Sequence, residues 1–359
     1  MILTFVFLAA AAGCIYLSCE TFVNGIEWLG RRLGVGQTAT GTILAAFGTA
    51  LPESVVTLVA TAFGKSDDDR QIGIGAALGG PLALSTVAYG FVGLCLLIYG
   101  RRLGRGRRPR VVVDGARLAR DQGWFLALFA AKILLGVTAF AFKPWLGIAF
   151  LLAYGIYFRS EMSGDQPEEE EGEDLAPLFL RRHEAEPALV WCLLQCLGAV
   201  VVIFVASQVF VGQLGLVGPA LGLSPQLTAL LLSPLATELP ETMNALIWVR
   251  QGKERLALAN ISGAMMIQAT VPTALGLFFT PWRLDRPLLI GAAITALATL
   301  SLFLAFRRAR PHPTDDQPSA DISSAEISNA GISSFWLAQT AWFYLLFAAL
   351  LLWWPLSTP

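Results

Sequence analysis

The stretch GTALPE, residues 48–53, sets a proline and a carboxylate side by side in the middle of an apolar run, and ATELPE, residues 236–241, repeats the arrangement in another. The fold turns on how these two stretches are read. In water they would sit in loops. Here the chain around them is 55% hydrophobic and only 14% charged, with a mean hydropathy of +0.62, whereas a soluble domain carries about 25% charged residues. The runs therefore read as membrane spans, and the composition excludes a soluble enzyme. The net charge of −1 indicates no partner. No basic stripe interleaved with aromatics offers a nucleic-acid surface.

A spanning helix needs about 20 mostly apolar residues. Ten segments qualify: 2–19, 37–63, 71–99, 124–141, 143–160, 188–211, 224–249, 255–280, 287–306 and 335–355. The first is preceded by no Lys or Arg, so LAAAAGC before Cys14 reads as part of a span rather than as a cleaved leader. With the N-terminus outside, 19 of the 25 basic residues fall in inner loops. The positive-inside rule then places both termini outside, and the long arginine-rich loop at 101–120 faces anionic lipid. The expected localisation is the plasma (inner) membrane, multi-pass.

Two polar stretches interrupt the spans. SGDQPEEEEGEDLAP, residues 163–177, reads as a solvated, disordered tether; a calcium-sensing role for its acidic run is the alternative. Residues 310–334 form a second polar stretch, within an inner loop at 307–334. The five cysteines have no metal-ligand spacing and read as buried small apolar groups. Glu20 and Glu27 read as solvated at the inner end of the first span. Lys132 reads as a snorkelling or ion-paired lysine.

Sliding the chain by 188 positions lays Phe22-Val23 on Phe210-Val211, Gly30 on Gly218, Leu33-Gly34 on Leu221-Gly222, Thr40 on Thr228 and Leu44 on Leu232. Thr49 then falls on Thr237, and Leu51-Pro52-Glu53 on Leu239-Pro240-Glu241. Internal repeats of this kind outrank other signals. The expected fold is thus all-α and polytopic: ten transmembrane helices as two inverted five-helix repeats. The domains are 1–160, an acidic cytoplasmic linker at 161–187, and 188–359. An odd number of spans per repeat forces the second half to enter the membrane in the opposite sense, which is a transporter signature with its site near the midplane.

Pro52 cannot donate to the carbonyl of Gly48, nor Pro240 to that of Ala236, so each motif is expected to open its helix and free a carbonyl oxygen. Carboxylates, hydroxyls and carbonyls are what calcium selects. Glu53 and Glu241, with Thr49 and Thr237, therefore read as a cation cage, the two glutamates being the metal ligands. A charge at the bilayer centre costs about 2.5–3.5 kcal/mol on insertion scales, so acids there imply function. Glu238, one helical turn before Glu241, is either a third ligand or a protonated group facing another helix.

GTALPE and ATELPE, with GIGAALGG (73–80) and LANISGAMMIQ (258–268), resemble the two alpha repeats of the sodium/calcium exchangers, within the cation/calcium exchanger superfamily. The resemblance implies a cation antiporter, not an enzyme, without a cofactor, working by alternating access as its first and sixth helices slide. The transported ions are calcium, with sodium or protons as counter-ion; the partners are the lipid bilayer and inorganic cations, and the resemblance leans towards a monomer. It matches the central ligands to Glu53, Glu241, Thr49 and Thr237, and the eighth-helix acid to Gln268. The third-helix amide falls on Leu84 if residues 66–69 are a loop insertion, and otherwise on Gly80. The alternatives to a sodium/calcium antiporter are a proton-coupled cation exchanger and a non-transporting membrane sensor or scaffold.

Overall fold

The computed structural model describes residues 2–34, 40–64, 67–99, 110–111, 113–162, 175–220, 234, 237–309 and 331–353. Nearly all of them are helical. In chain order the helices are α1 (Ile2–Leu33), α2 (Ala46–Ala62), α3 (Asp67–Ala83), α4 (Tyr89–Tyr99), α5 (Gly115–Val137), α6 (Leu146–Met162), α7 (Leu189–Ala220), α8 (Leu239–Gln251), α9 (Glu254–Phe279), α10 (Arg286–Arg308), α11 (Ser334–Gln339) and α12 (Ala341–Trp353). A π-helical segment, Thr40–Ala45, leads into α2, and another, Leu84–Ala88, joins α3 to α4 as one rod. Two short strands, β1 (Arg110–Val111) and β2 (Ile332–Ser333), pair antiparallel and tie the loop before α5 to the loop before α11.

Among the described residues, six helical stretches are long and apolar enough to cross a membrane: Ile2–Leu33, Gly73–Tyr99, Leu189–Phe210, Glu254–Phe279, Arg286–Arg308 and Ser334–Leu351. Their outward faces are apolar. On α7, Leu197, Val201 and Val205 are exposed at successive turns, while Cys192, Cys196 and Ile203 are buried. Such a stripe suits hydrocarbon and would be an aggregation surface in water. At the centre lies α9, buried on almost every side and packed against α2, α5, α6 and α8. The two 32-residue helices α1 and α7 lie together at one flank. Their close approach is set by Gly25, where an added Cβ would stand 2.8 Å from the Cys196 sulfur.

Several expectations need correction. The first helix does not end at residue 19 but continues to Leu33, and its polar second half finds partners: Glu27 accepts from Trp248 Nε1 at 3.0 Å and pairs with Lys253 at 2.7 Å. Glu27 is thus not a solvated group. Residues 124–141 become a helix over 115–137, started by Asp114, whose side chain caps the Arg117 amide. Asp67–Asp69 form the first turn of α3 rather than a loop. Cys14 is exposed, unlike the other four cysteines. Lys132 does not snorkel, and among the described residues it joins no ion pair. Its ammonium is fully buried, donates to the Ala77 carbonyl at 3.0 Å and lies 5.0 Å from the centre of the Phe129 ring.

The polar tether is also not loose throughout. Residues 163–174 and 310–330 lie outside the described residues, but 175–187 are fastened to α1 and α7. Asn24 Nδ2 and Trp28 Nε1 donate to the Ala176 carbonyl, at 3.2 and 2.9 Å. Asn24 Oδ1 accepts from Phe179 N, Gln195 Oε1 accepts from Leu180 N, and Arg32 Nε donates to Pro187 O. Leu178 is fully buried beneath this strap.

Candidate functional site

The two Leu-Pro-Glu motifs meet, but their backbones differ. In the first half the helix is not opened at Pro52: α2 runs without a break from Ala46 to Ala62, and the irregular turn lies upstream at Thr40–Ala45. A proline inside a buried helix is tolerated where neighbouring groups take up backbone carbonyls. The nearby hydroxyls bond other carbonyls, Thr49 to Ala45 O at 3.1 Å and Ser54 to Ala50 O at 3.1 Å, so neither takes up the Gly48 carbonyl. In the second half the expected break is present. Glu238 occupies the N-cap of α8 with non-helical dihedrals, and Pro240 lies in the first turn, where its missing N–H costs nothing. Ala236, the second carbonyl candidate, lies outside the described residues. Gly48, the first, is covered by α1: an added Cβ would come within 2.5 Å of the Phe22 ring.

The side chains cross between the halves. The Thr237 hydroxyl lies within hydrogen-bonding reach of the Glu53 carboxyl, and the Thr49 hydroxyl within reach of Glu241. Each threonine already spends its single proton on a backbone carbonyl, Ala45 O for Thr49 and Pro234 O, at 3.3 Å, for Thr237. The hydroxyls can therefore accept from a protonated carboxyl or share a cation with an ionised one. Glu53, Glu238 and Glu241 are 3%, 2% and 1% exposed, and each keeps an Oε2 without a hydrogen-bond partner. Among the described residues none of the three joins an ion pair.

Glu238 faces both other glutamates and accepts from Gln268 Nε2 at 2.8 Å. Of the two positions left open for the third-helix amide, Gly80 is the one at the site. A Cβ there would stand 2.5 Å from Gln268 Oε1 and 2.8 Å from Glu238 Oε1. The space a larger residue would use on α3 is filled by Glu238 and Gln268 from the other half. Among the described residues no three His, Cys, Asp or Glu side chains are arranged as a metal-holding group. The oxygens available for a hard cation are thus mixed, carboxyl with hydroxyl and amide, as calcium accepts. Sequence reasoning did not anticipate the contact of Cys19, whose Sγ lies 3.7 Å from Pro240 O; nothing in the spacing of α1 announces it.

The sodium/calcium exchanger protein family matches residues 3–159 and 191–353. The chain belongs to this family. Inner membrane protein YrbG of Escherichia coli is 24% identical over 310 residues, covering 82% of this chain and 86% of that protein. An uncharacterized membrane protein of Methanocaldococcus jannaschii is 22% identical over 291 residues, covering 81% and 85%. Among solved structures, the sodium-calcium exchanger NCX_Mj superposes with a TM-score of 0.71 at 19% identity, covering 98% of this chain and 99% of that one. The chain shares the fold of NCX_Mj, with its two family-matched segments flanking the strap at 175–187.

Proposed function

We propose that this protein is a membrane cation antiporter that exchanges calcium, or a similar cation, for sodium by alternating access. The observation that carries the reading is the set of buried carboxyl oxygens at Glu53, Glu238 and Glu241, crossed by Thr237 and Thr49 and without a basic partner among the described residues. Burying carboxylates without compensation is too costly to be structural, and a mobile cation removes that cost. One calcium ion, or two sodium ions, between Glu53 and Glu241 leaves those two carboxylates neutral overall. Loaded forms then cross the dry barrier, while an empty dianionic site resists doing so. Mutually exclusive occupancy couples the two flows.

Within this reading the chain has ten spans in two inverted five-helix repeats, 1–160 and 188–359, joined by the linker at 161–187. Both termini lie outside, and the protein works as a monomer in the plasma (inner) membrane. Helices α1 and α7 are the sliding pair, which fits their extended mutual contact at the flank and the Phe22 cover over Gly48. Protons as the counter-ion are a second reading, supported by the third acid, Glu238, and by the neutral Gln268 beside it. Flux in proteoliposomes tests both. Glu53→Gln and Glu241→Gln are each expected to abolish calcium exchange, and imposed sodium and pH gradients separate the counter-ions. Unchanged calcium flux in either variant counts against the proposal, as does calcium binding with no flux in the wild type.

A further inference from the structure

A second buried acid lies away from the central site. Asp121, on α5, is fully buried; its Oδ2 accepts from the Ser262 hydroxyl of α9 at 3.4 Å, and its Oδ1 has no partner. Beside it Gln122, 1% exposed, donates to Tyr89 OH at 3.0 Å and to Ser262 Oγ at 3.1 Å, while its own Oε1 is unpartnered. The charged and titratable groups that face Asp121 are few. From α6 come Glu161 and Tyr157, from α4 comes Tyr89, and from its own helix come Arg117 and Arg120. From α9 the facing group is Ser262, and α10 brings Phe303 against Gly123. Glu161 is held by both arginines, with Arg117 Nε at 2.9 Å, and also accepts from Thr42 at 3.3 Å.

The charges decide what binds here. Glu161 with two arginines carries a net positive charge, and an ionised Asp121 balances it. A metal ion would need several more oxygens and would meet the arginines; a proton needs one oxygen and an acceptor. The unpartnered Asp121 Oδ1 is an oxygen of that kind, and the Ser262 hydroxyl that Asp121 Oδ2 holds is within reach of Gln122 Nε2. Ser262 lies six residues before Gln268 on α9, about 9 Å along the helix. The cluster therefore stands between the arginine-bearing end of the bundle and the central carboxyls.

We propose that Asp121 is a proton-binding site that adjusts cation entry to the central site from the side of the membrane carrying Arg117 and Arg120. Ionised, it cancels the charge of the arginine group and holds the Ser262 hydroxyl. Protonated, it leaves an unbalanced positive charge beside the route of an incoming cation. Ser262, which Asp121 contacts, is about 9 Å from Gln268 along α9, and a unit change of charge at about that separation lowers the affinity for a divalent ion on the order of fivefold at the dielectric of water.

The test has two arms, of which only the second rests on the exchange proposed above. In pH-difference infrared spectroscopy of the full-length protein in lipid, the wild type is expected to show a titrating carboxyl band that Asp121→Asn lacks and Asp121→Glu shifts in midpoint. If Asp121→Asn keeps every titrating carboxyl band, the proposal is overturned, whether or not the protein moves calcium. In proteoliposomes, acidifying the arginine-bearing side is expected to raise the half-saturating calcium concentration about fivefold in the wild type. Asp121→Asn should hold the acid value at every pH, and a wild-type pH profile in that variant overturns the proposal. Absence of calcium flux in every form would speak against exchange instead, and the infrared arm would still decide on Asp121.

Discussion

The two Leu-Pro-Glu motifs are identical in sequence and unlike in backbone. Around Pro52 the chain is an unbroken helix whose irregular turn lies upstream, at Thr40–Ala45. Around Pro240 the helix begins, with Glu238 as its N-cap. A proline inside a helix removes a backbone bond and strains the turn before it, whereas a proline in the first turn removes nothing. The same three residues therefore hold their glutamate from a helix interior in one half and from a helix start in the other. The second half also brings an extra acid and Gln268, and the first answers with a glycine, Gly80, facing them. The site is symmetric in its crossed Thr–Glu contacts and asymmetric in everything around them.

The largest effect should ignore the asymmetry. Glu53→Gln and Glu241→Gln are both expected to bring calcium flux down to that of empty liposomes, because each removes half of the charge that balances a calcium ion. If only one did so, the two motifs would not form a single site. The next effect should expose the asymmetry. Pro52→Ala restores an N–H to a helix interior and is expected to stabilise the folded protein by about 1–3 kcal/mol. Pro240→Ala, at a helix start, should stay within about 0.5 kcal/mol. Thermal unfolding of the purified variants in detergent reads both, and equal shifts would show that the two prolines occupy equivalent backbones after all. A third change works across the halves. Gly80→Ala would push a methyl group against Gln268 Oε1 and Glu238 Oε1, and should raise the half-saturating calcium concentration about tenfold, the scale for disturbing the groups that orient metal ligands. Wild-type affinity in that variant would place Gly80 away from the cation.

Much of this was legible in the sequence. The apolar runs announced the helices, and the 188-residue offset paired Thr49 with Thr237 and Glu53 with Glu241 without structural help. What stayed hidden depends on tertiary partners. The polar second half of α1 is held by partners distant in the chain, such as Trp248 and Lys253 at Glu27, and no local pattern carries that information. Lys132 looked like a residue in need of a carboxylate, yet a backbone carbonyl and an aromatic ring receive it. The third-helix position was open by four residues, because a helix register cannot be fixed across a polar stretch that turns out to be the helix's own first turn, Asp67–Asp69. The break at Pro52 was expected from proline chemistry, and it is absent: α2 runs unbroken from Ala46 to Ala62. Asp121 lay outside the spans drawn from hydropathy, since Arg117 and Arg120 beside it made that turn of α5 look like loop.

The smallest effect is the finest probe of the crossing. Thr49→Ala takes a hydroxyl from Glu241, and Thr237→Ala takes one from Glu53. Each loses one neutral ligand oxygen while the charge is kept, so flux should survive with weaker calcium affinity. A neutral hydrogen-bonding group is worth about 0.5–1.5 kcal/mol, or roughly two- to tenfold. The two should not be equal. Thr49 is 2% exposed, so the oxygen it supplies has no replacement. Thr237 is only half-buried, and water can take its place. Thr49→Ala is therefore expected near the upper end of that range and Thr237→Ala near the lower, measured as half-saturating calcium in the same proteoliposomes. Because the contacts are crossed, Thr49→Ala and Thr237→Ala act on different carboxyls, and their effects should add fully in the double variant. If Thr49→Ala and Thr237→Ala instead failed to add, the two hydroxyls would be serving one carboxyl, and the crossed arrangement would be wrong.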